Sequence, residues 1–213
     1  DHDSFPWLTY RRMQIAGFDV TAIRVSFAGE AGWELHCDMD DVARVYDAVW
    51  AVGEAHQIAN FGMLALDSMR LEKGYRSWKV DLTSDYSMLE SGLARWVNLG
   101  KADFVGKAAL ASELQAGPKH GFVTLTIDDP ADGEPFGEAV YLSTLLVDGN
   151  AAGLVVSAGY GHRTGHSIAM AVVDSGVVAQ GGQFSVDVLG RERRANLVAG
   201  DVLYDPQNER VKV

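Results

Sequence analysis

The chain has 213 residues, 47% hydrophobic and 22% charged, the proportions of an ordinary soluble globular protein with room for one large domain or two small ones. Its 29 acidic against 18 basic residues give a net charge of −11, which argues against a general nucleic-acid or anionic-membrane surface but leaves room for a local basic pocket. The single cysteine, Cys37, excludes an intrachain disulfide and a cysteine-based metal cage and fits a reducing compartment, cytoplasmic or matrix-type; no apolar run is long enough to span a bilayer, and no signal peptide is visible.

The opening, Asp1-His-Asp-Ser-Phe-Pro-Trp7, carries no initiator Met and reads as the interior of a longer protein. Residues 19–27 then alternate, with Thr21, Ile23, Val25 and Phe27 on one face, and predict a strand whose apolar face is that one. The stretch Arg24-Val-Ser-Phe-Ala-Gly-Glu-Ala-Gly-Trp-Glu-Leu-His36 continues it as strand, glycine-pivoted turn and second strand. Gly29 and Gly32 suit a tight turn, and Glu34 falls just past it with Trp33 beside it. A carboxylate next to an aromatic ring suits a flat, nitrogen-rich ligand, because its two oxygens accept a pair of parallel N–H bonds from an aminopyrimidine-like edge. An ordinary hairpin with a solvated Glu has the same pattern.

From Asp40 the period changes to that of a helix. Val42, Val45, Tyr46, Val49 and Trp50 share a face, with Asp40 or Asp41 as the cap. Residues 62–74 predict a second helix, carrying Met63, Leu66 and Met69 and closed by a left-handed Gly74. Arg70, Glu72, Lys73 and Arg76 on or just past it read as a solvated, paired face, with Arg70 divided evenly between that role and backing a ligand cleft. A third helix is expected from a cap at Asp103 to Leu114, stopped by Gly117-Pro118.

After Pro118 strand-like runs dominate, at 122–127, 139–147, 153–158, 167–173, 184–189 and 194–199. Turn signals such as Asp148-Gly149-Asn150 and Gly181-Gly182 separate them. Several short strands joined by turns predict a barrel or sandwich. The fold class is therefore α+β: an antiparallel sheet with helices over residues 1–117, then a small all-β barrel over 118–213.

The six histidines show neither a nucleophile elbow nor HExxH spacing, and each reads as a surface or satisfied histidine. Gly159-Tyr-Gly-His-Arg-Thr-Gly165 lacks the GxGxxG spacing and reads as a loop between barrel strands, with Arg163 a weaker candidate for drawing a carboxylate into a cleft.

Three segments in order carry a family resemblance. They are the Arg24–His36 stretch, Phe61-Gly-Met-Leu-Ala-Leu-Asp-Ser-Met-Arg-Leu-Glu-Lys-Gly-Tyr-Arg-Ser-Trp78, and Leu89-Glu-Ser-Gly-Leu93 followed by Lys101-Ala-Asp-Phe-Val-Gly-Lys107. Together with Ser157-Ala-Gly-Tyr-Gly-His-Arg-Thr-Gly-His-Ser-Ile-Ala169, they resemble the folate-binding glycine-cleavage T-protein (aminomethyltransferase) superfamily over nearly the whole chain. The likeness is greatest to the C-terminal half of sarcosine and dimethylglycine dehydrogenases. Each motif is weak alone and specific in combination.

The resemblance implies transfer of a one-carbon unit from an N-methyl or aminomethyl donor to tetrahydrofolate, giving 5,10-methylenetetrahydrofolate. It implies FAD only where an upstream dehydrogenase half exists. In the family the pterin lies in a hole between three lobes, and Glu34 matches the residue that binds its aminopyrimidine edge. Trp33, Phe27, Arg95, Trp96 and Arg70 are the further expected folate contacts. The essential acid of the family belongs to an N-terminal lobe, so the catalytic residue is unknown here and this chain alone is expected to be inactive. The expected partners are folate and a methylamine-type donor, with no nucleic acid, membrane or metal. Three positions depart from the pattern: Phe27 stands for a common Tyr, Arg95 (or Trp96) for another, and Leu66 for the Arg of the glycine-cleavage enzymes themselves. They leave open a changed-ligand or non-catalytic binding module, or a folate-dependent demethylase, on the same scaffold.

Overall fold

The computed structural model describes residues 2–130 and 137–213. Its contacts divide the chain into two compact units, one of residues Asp1–Arg70 with Asp205–Val213, the other Leu71–Tyr204.

The first unit is built on a three-stranded antiparallel sheet of β1 (Tyr10–Ile15), β2 (Phe18–Ile23) and β3 (Glu34–His36), in that order. β1 and β2 form a hairpin around Ala16-Gly17, which the alternation from residue 19 did not disclose. β3 pairs with β2 in the register Ile23↔Glu34, Ala22↔Leu35, Thr21↔His36. The turn expected around Gly29 and Gly32 is thus a loop of residues 24–33, longer than a tight hairpin.

The buried face of β2 is Val20 and Ala22, continued by Arg24, and not the face of Thr21, Ile23, Val25 and Phe27. The expectation followed apolar residues, whereas a buried arginine that finds its own partners set the inward side. Helix α1 (Val42–Gly53) follows a 3-10 turn at Met39–Asp41; Asp41 sits at its N-cap without a side-chain cap bond. Val45 is its buried residue, and Tyr46 stacks on Trp50 at 5.8 Å. Helix α2 (Met63–Glu72) ends where expected, at Gly74 with φ +70. A Cβ at Gly74 would stand 2.3 Å from the Asp201 carbonyl oxygen, so glycine is required there for close approach as well as for φ.

In the second unit, helix α3 (Lys107–Ala116) starts after Gly106, at φ +89, and not from a cap at Asp103; the chain enters through a Phe104–Lys107 turn. A strand stands at each of the six expected runs, though the second begins only at 144 where 139 was expected: β4 (His120–Ile127), β5 (Thr144–Val147), β6 (Asn150–Gly161), β7 (His166–Asp174), β8 (Phe184–Val188) and β9 (Arg191–Leu197). They close into an antiparallel barrel in the order β4-β7-β6-β5-β8-β9, with β9 returning to β4. Asp148 and Gly149, both at positive φ, make the two-residue connection from β5 to β6. A short helix α4 (Ser175–Gln180), absent from the strand pattern, links β7 to β8.

Strand alternation builds two cores. Val123, Leu125, Leu145, Val155, Ala169, Ala171, Val173 and Val186 form one cluster with Phe184 and Val188. The opposite faces of the same strands, Phe122, Val156, Ile168, Met170 and Val172, form a second with Leu71, flanked by Tyr86 and Leu203. β7 is therefore buried on both faces, which is why it reads as an almost unbroken apolar run.

Candidate functional site

The glycine-pivoted segment places Glu34 as the first residue of β3, across from Ile23. Its carboxylate is 62% exposed, and Oε2 lies 3.3 Å from His36 Nε2, two residues along on the same face of the strand. Trp33, one residue earlier, is 44% exposed. Its ring meets Phe5 edge-to-face at 6.3 Å and carries the Arg24 guanidinium 5.2 Å from its centroid. Phe27 stands at the loop surface, also partly exposed. An exposed carboxylate can receive a flat ligand's N–H edge on its oxygens, and an exposed ring held by other side chains can offer an apolar wall.

Arg24 is the residue that strand alternation missed. It is fully buried, and its backbone pairs with Thr9 and Leu8 in the register beyond β1 and β2. Its guanidinium donates to the carbonyl oxygens of Phe5, Val213 (2.5 Å) and Val211 (3.5 Å).

Arg70 is buried, with Nε donating to Asp67 Oδ1 at 2.6 Å, one helical turn back. The solvated face expected at the end of α2 is overturned. Arg70, Glu72 and Lys73 are each almost wholly buried, and Arg76 lies on a ring. Such residues go inside only when paired, and the pairing is visible for Glu72. In the second unit its carboxylate accepts Arg163 N–H at 2.7 Å, Thr164 N–H at 2.8 Å and Arg163 Nε at 2.6 Å. Arg163 also covers the Tyr204 ring at 3.8 Å. The Gly159–Gly165 segment is thus the end of β6 and a short loop to β7, held by a carboxylate from α2. Arg163 is committed to that carboxylate and that ring.

Arg95 and Trp96 lie on a 3-10 turn, Ala94–Trp96, with the guanidinium 5.3 Å from the indole centroid and the Trp exposed. Arg76 packs 4.2 Å over Phe122 and pairs with Asp201 at 3.3 Å. Its burial, reinforced by the charge of Arg95, lowers its pKa from the ordinary value, with Asp201 opposing. Asp81 accepts from Ser77 N–H (2.7 Å) and Ser157 Oγ (2.5 Å), fixing the loop that carries exposed Trp78.

A further node follows the motif Ser87-Met-Leu-Glu90, of which the sequence pattern singles out only Leu89 and Glu90. It is a capping box: Ser87 Oγ accepts from the N–H of Leu89 and Glu90, and Glu90 Oε2 accepts from Ser87 N–H at 3.0 Å. Glu90 Oε1 meets His120 Nδ1 at 2.8 Å. The Ser87 N–H bond, with His120 adding to it, holds the Glu90 carboxyl below its usual range. Among the described residues no cluster of His, Cys, Asp and Glu is placed to hold a metal ion, and no helix is long and apolar enough to cross a membrane.

Glu34, Trp33 and Phe27 lie on one strand-and-loop segment, and Arg95 sits against Trp96. A sheet-and-helix unit followed by a closed antiparallel barrel is the architecture that the T-protein resemblance implies, and the comparisons agree. The family model for the T-protein N-terminal domain matches residues 1–101, and that for the glycine cleavage T-protein C-terminal barrel domain matches residues 121–205. The chain belongs to this family. It is 34% identical over 212 residues to human mitochondrial dimethylglycine dehydrogenase, covering 99% of this chain and 24% of that protein. It is 35% identical over 221 residues to mouse mitochondrial sarcosine dehydrogenase, covering 99% of this chain and 23% of that protein. To the aminomethyltransferase of Moorella thermoacetica it is 32% identical over 198 residues, 93% of this chain and 52% of that one. The chain therefore spans about a quarter of the dehydrogenases and about half of the aminomethyltransferase. The crystal structure of glycine cleavage system aminomethyltransferase T from Bartonella henselae shares the fold, with a TM-score of 0.71 at 24% identity over 86% of this chain and 50% of that one.

Proposed function

We propose that this chain is part of a tetrahydrofolate-dependent one-carbon transferase, in which Glu34 receives the aminopyrimidine edge of the pterin. The observation that supports this most is the exposed Glu34 carboxylate at the start of β3, with the partly exposed Trp33 one residue earlier in the chain. When bound, tetrahydrofolate would supply the nitrogens that take up the one-carbon unit; the chain's residues bind and orient it. Glu34 would fix the ring's rotation by two parallel acceptor contacts, with Trp33 and Phe27 as partly exposed rings of the same segment. Arg70, Arg95 and Trp96 remain proposed folate contacts on the family resemblance alone.

The donor would be an N-methyl or aminomethyl amine, and FAD would enter only through a dehydrogenase half of the kind the longer relatives' names indicate. A reducing compartment, cytoplasmic or matrix-type, fits the free Cys37. We also propose the division between the folate-binding portion and the barrel at residues 117–118.

The test is calorimetric titration of tetrahydrofolate into the full protein that carries this chain, wild type against Glu34→Gln. The substitution turns an acceptor into a donor facing a donor and removes a charge-assisted bond, so affinity should fall by about 1.5–3 kcal/mol. Equal affinity would reduce Glu34 to a solvated strand residue.

A further inference from the structure

Arg24 ties three distant pieces of chain to the ring of Trp33, the residue before Glu34. Its backbone is held by Thr9 and Leu8. Its guanidinium collects the carbonyl oxygens of Phe5, Val211 and Val213, the last two 187 and 189 positions away. The same guanidinium lies 5.2 Å from the centroid of Trp33. Because Ile23 pairs with Glu34, Arg24 and Trp33 are the next cross-strand neighbours beyond the β2–β3 ladder. A cation against a ring stands where a further ladder pair would be.

The segment that supplies two of these carbonyls is itself built. Asp205 accepts from Glu209 N–H at 2.8 Å and from Arg210 N–H at 3.1 Å, and Val211 is 1% exposed. Phe5, the other partner of Trp33, is covered in turn by Arg11 at 4.9 Å. Trp33 is thus clamped from one side by an arginine whose own position depends on residues 211–213.

We infer that Arg24 is a positioning residue for the Glu34 site and that residues 211–213 act on that site through it, by setting the stance of the Trp33 ring. The inference rests on the folate reading above. It assigns residues 211–213 a role in ligand affinity without contact to the ligand. A planar fork is needed to reach three carbonyls while lying on a ring, and a lysine ammonium cannot do both.

The experiment is a double-mutant cycle with tetrahydrofolate as the probe, in the full protein. Arg24→Lys should raise Kd about tenfold where Trp33 is intact, the range a buried cation–ring contact spans. In a Trp33→Leu background the same substitution should leave Kd unchanged, while lowering the melting temperature in both backgrounds. That separation is what a merely structural arginine would not produce. Val211→Ala, a milder change that preserves the segment, should act like a weaker Arg24→Lys. As a ligand-free readout, the Trp33 resonance of 5-fluorotryptophan-labelled protein, identified through Trp33→Phe, should shift in both Arg24→Lys and Val211→Ala.

Equal losses of affinity in the two Trp33 backgrounds, or an unmoved Trp33 resonance, would overturn the inference and leave the folate reading intact. Failure of the wild-type protein to bind tetrahydrofolate would overturn the folate reading and the inference with it.

Discussion

Glu72 shows how one carboxylate can organise a loop. Its three accepted bonds all come from Arg163 and Thr164, and its side chain has no exposed surface. A buried acid in that position is stabilised only while its donors stay in place, and removing the charge leaves them facing a neutral group. Glu72→Gln should therefore cost about 3 kcal/mol of stability, read as a lower urea midpoint at unchanged slope. A loss below about 1 kcal/mol would mean that the loop keeps its shape without the charge. Sequence alone could not reveal this. A Glu between Leu71 and Lys73 near a helix end looks like a solvated residue until the partner loop, 91 positions away, is known to fold back on it. Arg24 was illegible for the same reason. Alternation assigns faces by polarity, and a buried arginine whose partners are remote carbonyls inverts the assignment.

Elements were more legible than residues where their pattern was local. The barrel strands announced themselves by short apolar runs and by Asp148-Gly149, because a two-residue connection needs positive φ at both positions. β1 did not, since its residues are nearly all exposed and carry no apolar period. Helix α3 showed the limit of capping logic, as Asp103 precedes a turn and the helix begins only after Gly106. The Glu34 and Trp33 pair was visible as a motif, while the ring's support by Phe5 and Arg24 was not.

At this scale the capping box at Ser87 and Glu90 makes a pH prediction. Glu90 is held ionised by the Ser87 N–H and by His120 on β4, so its folded pKa lies below its unfolded value. A group depressed in this way contributes stability above its unfolded pKa, and that contribution is lost as pH falls through the folded one. Stability of the wild type should therefore decline below about pH 4.5 more steeply than that of Glu90→Gln. Parallel acid limbs in the two proteins would show that the box contributes nothing there.

For the whole molecule, the first question is where the chain can be opened. Residues 114–117 are exposed, and Gly117 leaves α3 at φ +83. Just beyond, the Pro118 and Lys119 carbonyls are secured by Ser175. Limited proteolysis should cut first between about residues 111 and 121, where the exposed last turn of α3 can fray at Gly117. Earlier cutting within Gly159–Gly165 would show that the Glu72-bound loop opens more readily than the proposed division.

The first compact unit is discontinuous in sequence. Its core partners include Arg24 near one end of the chain and Val211 near the other, with residues 71–204 between them. During synthesis at the ribosome, Arg24 would emerge long before the carbonyls that complete its shell. The β1–β3 sheet would have to wait, with the Val211 and Val213 carbonyls still missing from the guanidinium's shell, until the barrel had been translated. The loop-closure entropy of that long excursion grows only logarithmically, so the delay is one of timing more than of cost. Premature termination near residue 205 would then leave a finished barrel attached to an unsealed sheet, a species open to degradation in a cell.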